Sequence, residues 1–418
     1  MGNFSTAFPI TNRLPSPTSC LTTTRPSVLS LDQSRKRLMP NLLYFCELLL
    51  NVKQVSVSID NQDAAGQQRP TSVSLHPSRR ALTIAFGAQA SHVILPAPVD
   101  HISTPLAPCA TYRLPASQSL SSSGSLESRT ESPSVPWEAS TLPEKTSIHC
   151  ATCATRITPS LRIQKWKNLP SEAWADLMDL WHCHKPHDEK GQSEGGKYAG
   201  VGRITADKAV GLIDPMYFLL CKDDCENIYE QSTGTNEAET ILCRGCAAPL
   251  GIVDAKSDGI RLMKWSLALG FAHPHDNDGE LESYTMLQWL SAQLLFLVDN
   301  TGQRKFVVKP GASILTQQYL DGSARRVEEA NEGVHVWVFN PSTLITRTDK
   351  PTATRAMRIY YQTLMSRSDM EQLGDLESVY LPFAVYTRFK ESLAAANDSL
   401  PRDLKTWGDW RGGWLERF

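Results

Sequence analysis

The chain has 418 residues, enough for one large core or two to three domains, and carries 42 basic against 44 acidic side chains for a formal charge of −2. So even a balance excludes the basic field on which nucleic-acid binding depends, and no direct nucleic-acid partner is expected. No run of about 20 apolar residues is present, which excludes a helical membrane span. The longest apolar stretches, 42–50 and 290–298, have the length of core elements. Ten cysteines occur, with no apolar leader in the first 38 residues. Their spacing therefore reads as metal binding in a soluble intracellular chain rather than as a disulfide framework.

Residues 1–38 are rich in Ser, Thr and Pro, with Asp32 set against five Arg or Lys. That composition cannot build a core, and a disordered extension is expected. An organelle transit peptide, or a start codon placed ahead of a true start at Met39, are the other readings. From 39 to 114 short β-like runs predict an N-terminal β-rich part. Val55, Val57 and Ile59 alternate on one face, and runs at 72–75, 81–86 and 92–95 follow between Pro, Gly, Asn and Asp. Residues 115–140, rich in Ser, Pro and Glu, predict a flexible loop.

The remainder, 141–418, predicts a second and larger β-rich part. A strand is expected at 161–166. Residues 170–181 predict a helix capped by Ser171, with Trp174, Leu177 or Met178, and Trp181 on one face, followed by a loop over 188–210. Strands are expected at 216–220 and 260–271. Residues 281–298 predict a buried helix, with Tyr284, Leu287, Leu290, Leu294 and Val298 near helical spacing. Strands at 305–308, 333–340 and 355–364 follow. The stretch 334–339 is apolar on both faces and is expected to be central. A last helix, about 381–396, places Val385, Phe389 and Leu393 together and is stopped by Asn397, Asp398 and Pro401. The expected fold is α+β and β-rich, with mostly antiparallel sheets and a few packed helices, pinned by a structural zinc site.

That site is expected at two hooks, Cys150-Ala-Thr-Cys153 and Cys243-Arg-Gly-Cys246. Each puts two sulfurs on one tight turn, and four thiolates match a closed tetrahedral zinc centre. Eighty-nine residues separate Cys153 from Cys243, so the metal would pin distant segments rather than fold a short finger. Four thiolates leave no open position for water or substrate, which makes the role structural. His149, Cys183 or His184 can replace one thiolate in an alternative set. A redox dithiol and buried apolar cysteines are further readings. Gly245 is expected to supply a positive φ inside its turn.

His182-Cys183-His184-Lys-Pro-His187 offers other chemistry. Imidazoles beside a thiol can lower its pKa, so Cys183 is the candidate acyl acceptor. Adjacent side chains on a helix point apart, however, and packing at a helix end competes with catalysis. Cys221 and Cys225, beside two aspartates, suit a second metal or an ordinary loop. His273-Pro-His275 suits a metal or a polar turn. Trp407, Trp410 and Trp414 among glycines either seal the core, the reading preferred here, or offer a partner surface. A nucleotide-binding glycine loop, a serine-hydrolase elbow and a His-Glu-x-x-His helix are all missing from the sequence.

Several motifs fall in a definite order: His149-Cys-Ala-Thr-Cys153, Leu169-Pro-Ser-Glu-Ala-Trp174 running to Trp181-His-Cys-His-Lys-Pro186, Cys243-Arg-Gly-Cys-Ala-Ala-Pro-Leu-Gly251, and a tail from Leu381-Pro to Leu400-Pro401. In this order and spacing the chain, from about Met39 on, resembles the HECT-like ubiquitin-conjugating-enzyme-binding proteins, described as ubiquitin-protein ligases. The resemblance implies a cytoplasmic and nuclear protein that binds a ubiquitin-conjugating enzyme and promotes ubiquitin transfer. The acceptors it implies are the protein itself or substrates such as cyclin-like or RNA-processing clients. For fungal-type members it also implies support of the mRNA 3′-end cleavage endonuclease. The label HECT-like implies a C-terminal cysteine that carries ubiquitin as a thioester. Here the sequence departs, because no cysteine follows Cys246. Either Cys183, Cys221 or Cys225 is then the acceptor, or the protein gains rate by holding the charged conjugating enzyme in a reactive pose. A non-enzymatic assembly factor for a nuclear client is the competing reading.

Overall fold

Two-residue alternation builds the first strands. Val55, Val57 and Ile59 share one face of the Gln54–Asn61 strand, and all three are buried, as the pleat of a half-buried strand requires. The computed structural model describes residues 42–61, 71–86, 89–100, 111–117, 135–169, 204–232, 239–271, 281–310, 332–371, 373–374 and 376–418. Among these, the largest sheet has nine strands, the next has seven, and two smaller sheets have three each. Pairing is mostly antiparallel; the exceptions among the described residues join Lys165–Asn168 to Val210–Ile213 and Lys305–Pro310 to Ser378–Leu381. No helix among them is long and apolar enough to cross a membrane.

The stretch expected to be central is so. Gly333–Arg347 pairs with Leu42–Leu49, Lys305–Pro310 and Lys350–Leu364. Four helices are described: α1 (Met286–Thr301), α2 (Arg367–Glu371), α3 (Phe383–Asp398) and α4 (Arg402–Lys405). Val334, Val336 and Val338 point into one core with Leu290 and Leu294 of α1 and Phe389 and Leu393 of α3. Each such side chain contributes about 1.5–3 kcal/mol when fully buried. Helix α1 begins later than the apolar spacing suggests. Thr285 caps it in a reciprocal capping box with Gln288, and Gly302, at φ 69°, closes it. Leu281 to Tyr284 therefore precede the helix, because the cap fixes its start.

Other expectations are corrected. Residues 260–271 are two strands, Gly259–Met263 in the seven-stranded sheet and Leu267–Phe271 in a three-stranded one, parted by a 3₁₀ turn at Lys264–Ser266. The break turns on Lys264, which is buried with its ammonium 4.8 Å from the Trp289 ring and 5.2 Å from Phe218. Leu161 sits at φ 64° and is exposed, so the expected strand starts only at Lys165. Thr111–Pro115 adds an unforeseen strand beside Gln54–Asn61. Most of the stretch read as a flexible loop, 118–134, lies outside the described residues; beyond it Trp137 is buried, 5.0 Å from Trp289 and 6.1 Å from Phe218. In the stretch read as a loop over 188–210, Ala206 is buried and Val210 already opens a strand. The expected helix at 170–181 lies outside the described residues.

Lys264 yields a pH prediction. Burial draws its amine from 10.5 down to about 7, against the opposing pull of Asp214 and Glu138. Between these values the unfolded chain binds the proton more tightly than the folded one, so stability rises with pH across that window. Urea midpoints at pH 7 and pH 9 are expected to rise in the wild type and to stay level in Lys264→Met. An equal rise in both proteins would contradict this assignment.

Candidate metal centre

Both hooks are built alike. Cys150 ends the Thr146–Cys150 strand and Cys243 ends Thr240–Cys243. In the first turn the Ala154 N–H donates to the Cys150 carbonyl at 2.9 Å and the Cys150 N–H to the Thr155 carbonyl at 2.8 Å. In the second, the Ala247 N–H donates to Cys243 at 2.8 Å and the Cys243 N–H to Ala248 at 2.9 Å. Ala154 and Ala247 both stand at φ 58°. The shared pattern Cys-x-x-Cys-Ala is thus one local structure used twice, with the left-handed residue just after the second cysteine.

The turns meet face to face. Cys150 and Cys246 sulfurs lie 3.7 Å apart, and those of Cys153 and Cys243 3.6 Å apart. All four ligand atoms fall within 4.8 Å of one another. Disulfide sulfurs would sit at about 2.05 Å, so these are separate thiols. A metal holding four sulfurs at about 2.3 Å would place them about 3.8 Å apart, which fits the observed edges. Cys150 and Cys243 are buried, while Cys153 and Cys246 face outward. The first hook belongs to a three-stranded sheet and the second to the seven-stranded sheet, so a metal here ties two sheets together. Polypeptide contacts already align them: Asn227 Nδ2 donates to the Arg156 carbonyl at 2.9 Å, and the Arg244 N–H to the Asn227 carbonyl at 2.8 Å.

The thiols differ in acidity. The hydroxyl and N–H of Thr155 hold Cys153 down to about 6. The Ala248 N–H favours the Cys246 thiolate, but the sulfurs of Cys153, Cys150 and Cys243, with burial, push it up to about 12. Burial also raises Cys150. One thiolate forms easily, and gathering three more beside it requires a cation.

Gly245 does not serve as expected, since it is not among the positive-φ residues. It is needed for space: a Cβ there would lie 2.3 Å from Thr155 Oγ1 and 3.4 Å from Cys153 Sγ. Gly245→Ala is expected to cost about 1–3 kcal/mol as an overpacked site and to lower the chelator concentration that strips the metal. A chelator titration followed by metal analysis checks this. Sequence reasoning also missed Thr155, whose offset two residues past Cys153 carries no signal by itself.

The remaining candidates fall elsewhere. His149 is engaged within its own hairpin, Nε2 lying 3.0 Å from Ser147 Oγ and Nδ1 3.1 Å from the Ala154 carbonyl. Cys225 Sγ lies 3.5 Å from Thr158 Oγ1, and burial pushes its thiol up to about 12. Cys221 and Cys225 flank a 3₁₀ turn at Lys222–Asp224. The two hooks are the one gathering of metal-ligating side chains found among the described residues, which leaves Cys221 and Cys225 as part of an ordinary loop. Cys183, His182, His184, His187, His273 and His275 lie outside those residues. The tryptophans near the end seal the core only in part: Trp407 is 54% exposed, whereas Trp414 is half-buried under the Arg347 guanidinium at 4.2 Å.

Two fungal proteins are similar to this chain. An uncharacterized protein of Saccharomyces cerevisiae is 27% identical over 267 residues, covering 63% of this chain and 67% of its own length. An uncharacterized protein of Schizosaccharomyces pombe is 24% identical over 291 residues, covering 68% of this chain and 78% of its own. No solved structure matches. The matched family accounts for most of the sequence: residues 47–412 fit the description HECT-like ubiquitin-conjugating enzyme (E2)-binding, and the chain belongs to that family.

Proposed function

We propose that this protein binds a ubiquitin-conjugating enzyme and promotes transfer of ubiquitin to protein substrates, on a scaffold pinned by structural zinc at Cys150, Cys153, Cys243 and Cys246. The family match over residues 47–412 carries this reading. Zinc is favoured because four thiolates at tetrahedral spacing are its preferred closed set. Cyclin-like or RNA-processing proteins in the cytoplasm and nucleus are the proposed clients.

Transfer is proposed to proceed without a C-terminal thioester. No cysteine follows Cys246, and among the described residues Cys46 and Cys225 are held from reaction by burial, with both thiols pushed up to about 12. A ubiquitin acceptor needs an accessible thiolate. The protein therefore acts by orienting the conjugating enzyme's own thioester toward an amine, a gain in rate through positioning. Cys183 and the half-exposed Cys221 remain the covalent alternatives.

The test combines purified protein with activating enzyme, a panel of conjugating enzymes and labelled ubiquitin. Faster discharge with at least one conjugating enzyme is expected, with no reducible adduct on this chain. An adduct lost in Cys183→Ala would assign the thioester instead. No stimulation across the panel would contradict the ligase reading. It would favour the assembly factor for a nuclear client, such as the mRNA 3′-end cleavage endonuclease, a reading in line with the closed, non-catalytic metal set.

A further inference from the structure

Among the described residues, the face of the nine-stranded sheet that points away from α1 and α3 is covered along only part of its length. At one end Leu400 and Leu404 close over Phe45, Ile345 and Ala356. The Arg358 guanidinium then lies 5.2 Å from the Phe45 ring and 5.5 Å from Tyr360, joining this covered end to one where exposed aromatics gather. There Trp337, Phe339, Tyr360, Trp407 and Trp410 form one aromatic cluster with ring centroids 5.2–5.7 Å apart. Phe339 is 47% exposed and Trp407 54%. Strand alternation that buries Val336 and Val338 sends Trp337 outward, so the cluster follows directly from the fold.

Charge indicates what covers it. Lys305 holds its ammonium 5.3 Å from both the Trp337 and Trp410 rings. Arg304 donates to the Phe339 carbonyl at 3.4 Å. Both cations are exposed. A second copy docking through a two-fold axis would set these cations against themselves. Single-stranded nucleic acid calls for a longer basic track and open ring faces. Here Phe339 meets Trp337 at 87° and Tyr360 at 85°, edge to face, and Asp409 puts an exposed carboxylate on the rim. Aromatic anchors with a charged rim are instead the composition of a protein–protein hot spot.

We propose that this aromatic face docks the ubiquitin-conjugating enzyme, through an apolar loop flanked by carboxylates that pair with Lys305 and Arg304. The choice of that partner rests on the function proposed above; the surface and its chemistry do not.

The experiment measures binding of the full chain to a panel of ubiquitin-conjugating enzymes, free and ubiquitin-charged, by biolayer interferometry. Phe339→Ala and Trp407→Ala are each expected to weaken the best binder about 10- to 100-fold, as hot-spot truncations do. Lys305→Glu, a surface change with little effect on folding, is expected to weaken it about 5-fold or more and to flatten its salt dependence. Metal content and circular dichroism confirm that each variant is folded. Undiminished binding by all three variants would overturn the docking site and leave the proposed function standing. Failure of every conjugating enzyme to bind the wild type would remove both. Variant-sensitive binding of a labelled oligouridine, or a wild-type dimer that the variants dissociate, would each reassign the face and overturn the proposal.

Discussion

Replacing Cys243 with Ser is expected to empty the metal centre and unfold the middle of the chain. Cys243 is fully buried at the end of its strand, and Ser gives no thiolate to complete the coordination. Structural zinc binding in finger peptides is worth about 10–16 kcal/mol, as much as the whole stability of a typical domain at about 5–15 kcal/mol. Losing even part of it leaves the two sheets held by their shared apolar core, Ile148 and Ile157 against Ile241 and Leu250, and by contacts such as those of Asn227. Metal content should fall from about one ion per chain to near zero, and the thermal midpoint by about 10 °C or more, taking several kcal/mol at about 2–4 °C each. Cys221→Ser, in the half-exposed loop, should stay within about 0.5 kcal/mol of wild type. Equal midpoints for the two variants would contradict the clamp.

The second large effect is expected at Asp254→Ala. Arg261 and Asp254 are 1% and 6% exposed and meet at 2.8 Å, Nε to Oδ2. The same carboxylate accepts the Lys256 and Ser257 N–H groups at 3.1 and 3.3 Å, shaping the turn between the two strands. Removing it leaves a guanidinium in the core without this carboxylate, beside Asp214 and the Tyr217 ring. Breaking one side of such a buried pair costs about 3–5 kcal/mol. Replacing both partners at once, Asp254→Leu with Arg261→Met, should cost far less, since well-packed apolar groups often match a buried ion pair. Urea unfolding of the single and double variants checks both statements. A single variant within about 1 kcal/mol of wild type would refute the first.

Where one face of an element is buried, its sequence disclosed it. Val55, Val57 and Ile59 announced a strand face, Val334 to Phe339 a central strand, and Phe389 and Leu393 a helix stripe, because burial imposes periods of 2 and 3.6. The two hooks were legible for another reason: thiolate pairs at fixed spacing have few other uses. Expectations failed where non-local partners decide. Nothing in residues 260–271 marks the break at Lys264, whose buried ammonium lies against the rings of Trp289 and Phe218, on other elements of the chain. The pairing of Leu42–Leu49 with Gly333–Arg347 spans nearly the whole chain. Asn340-Pro341 resembles a strand end, yet the strand continues to Arg347 through register shifts after Val338 and Asn340. The aromatic face gathers residues from strands about 70 positions apart, so only Trp407 and Trp410 stood out beforehand. Gly245 looked like a φ requirement and is a space requirement, a distinction that depends on Thr155 across the turn.

The most direct test of the clamp is X-ray absorption at the metal edge of the purified protein. A single zinc shell of four sulfurs at about 2.3 Å is expected, unchanged in His149→Ala and collapsed in Cys243→Ser. A shell containing nitrogen or oxygen, or protein purified without chelator that holds no metal, would contradict it.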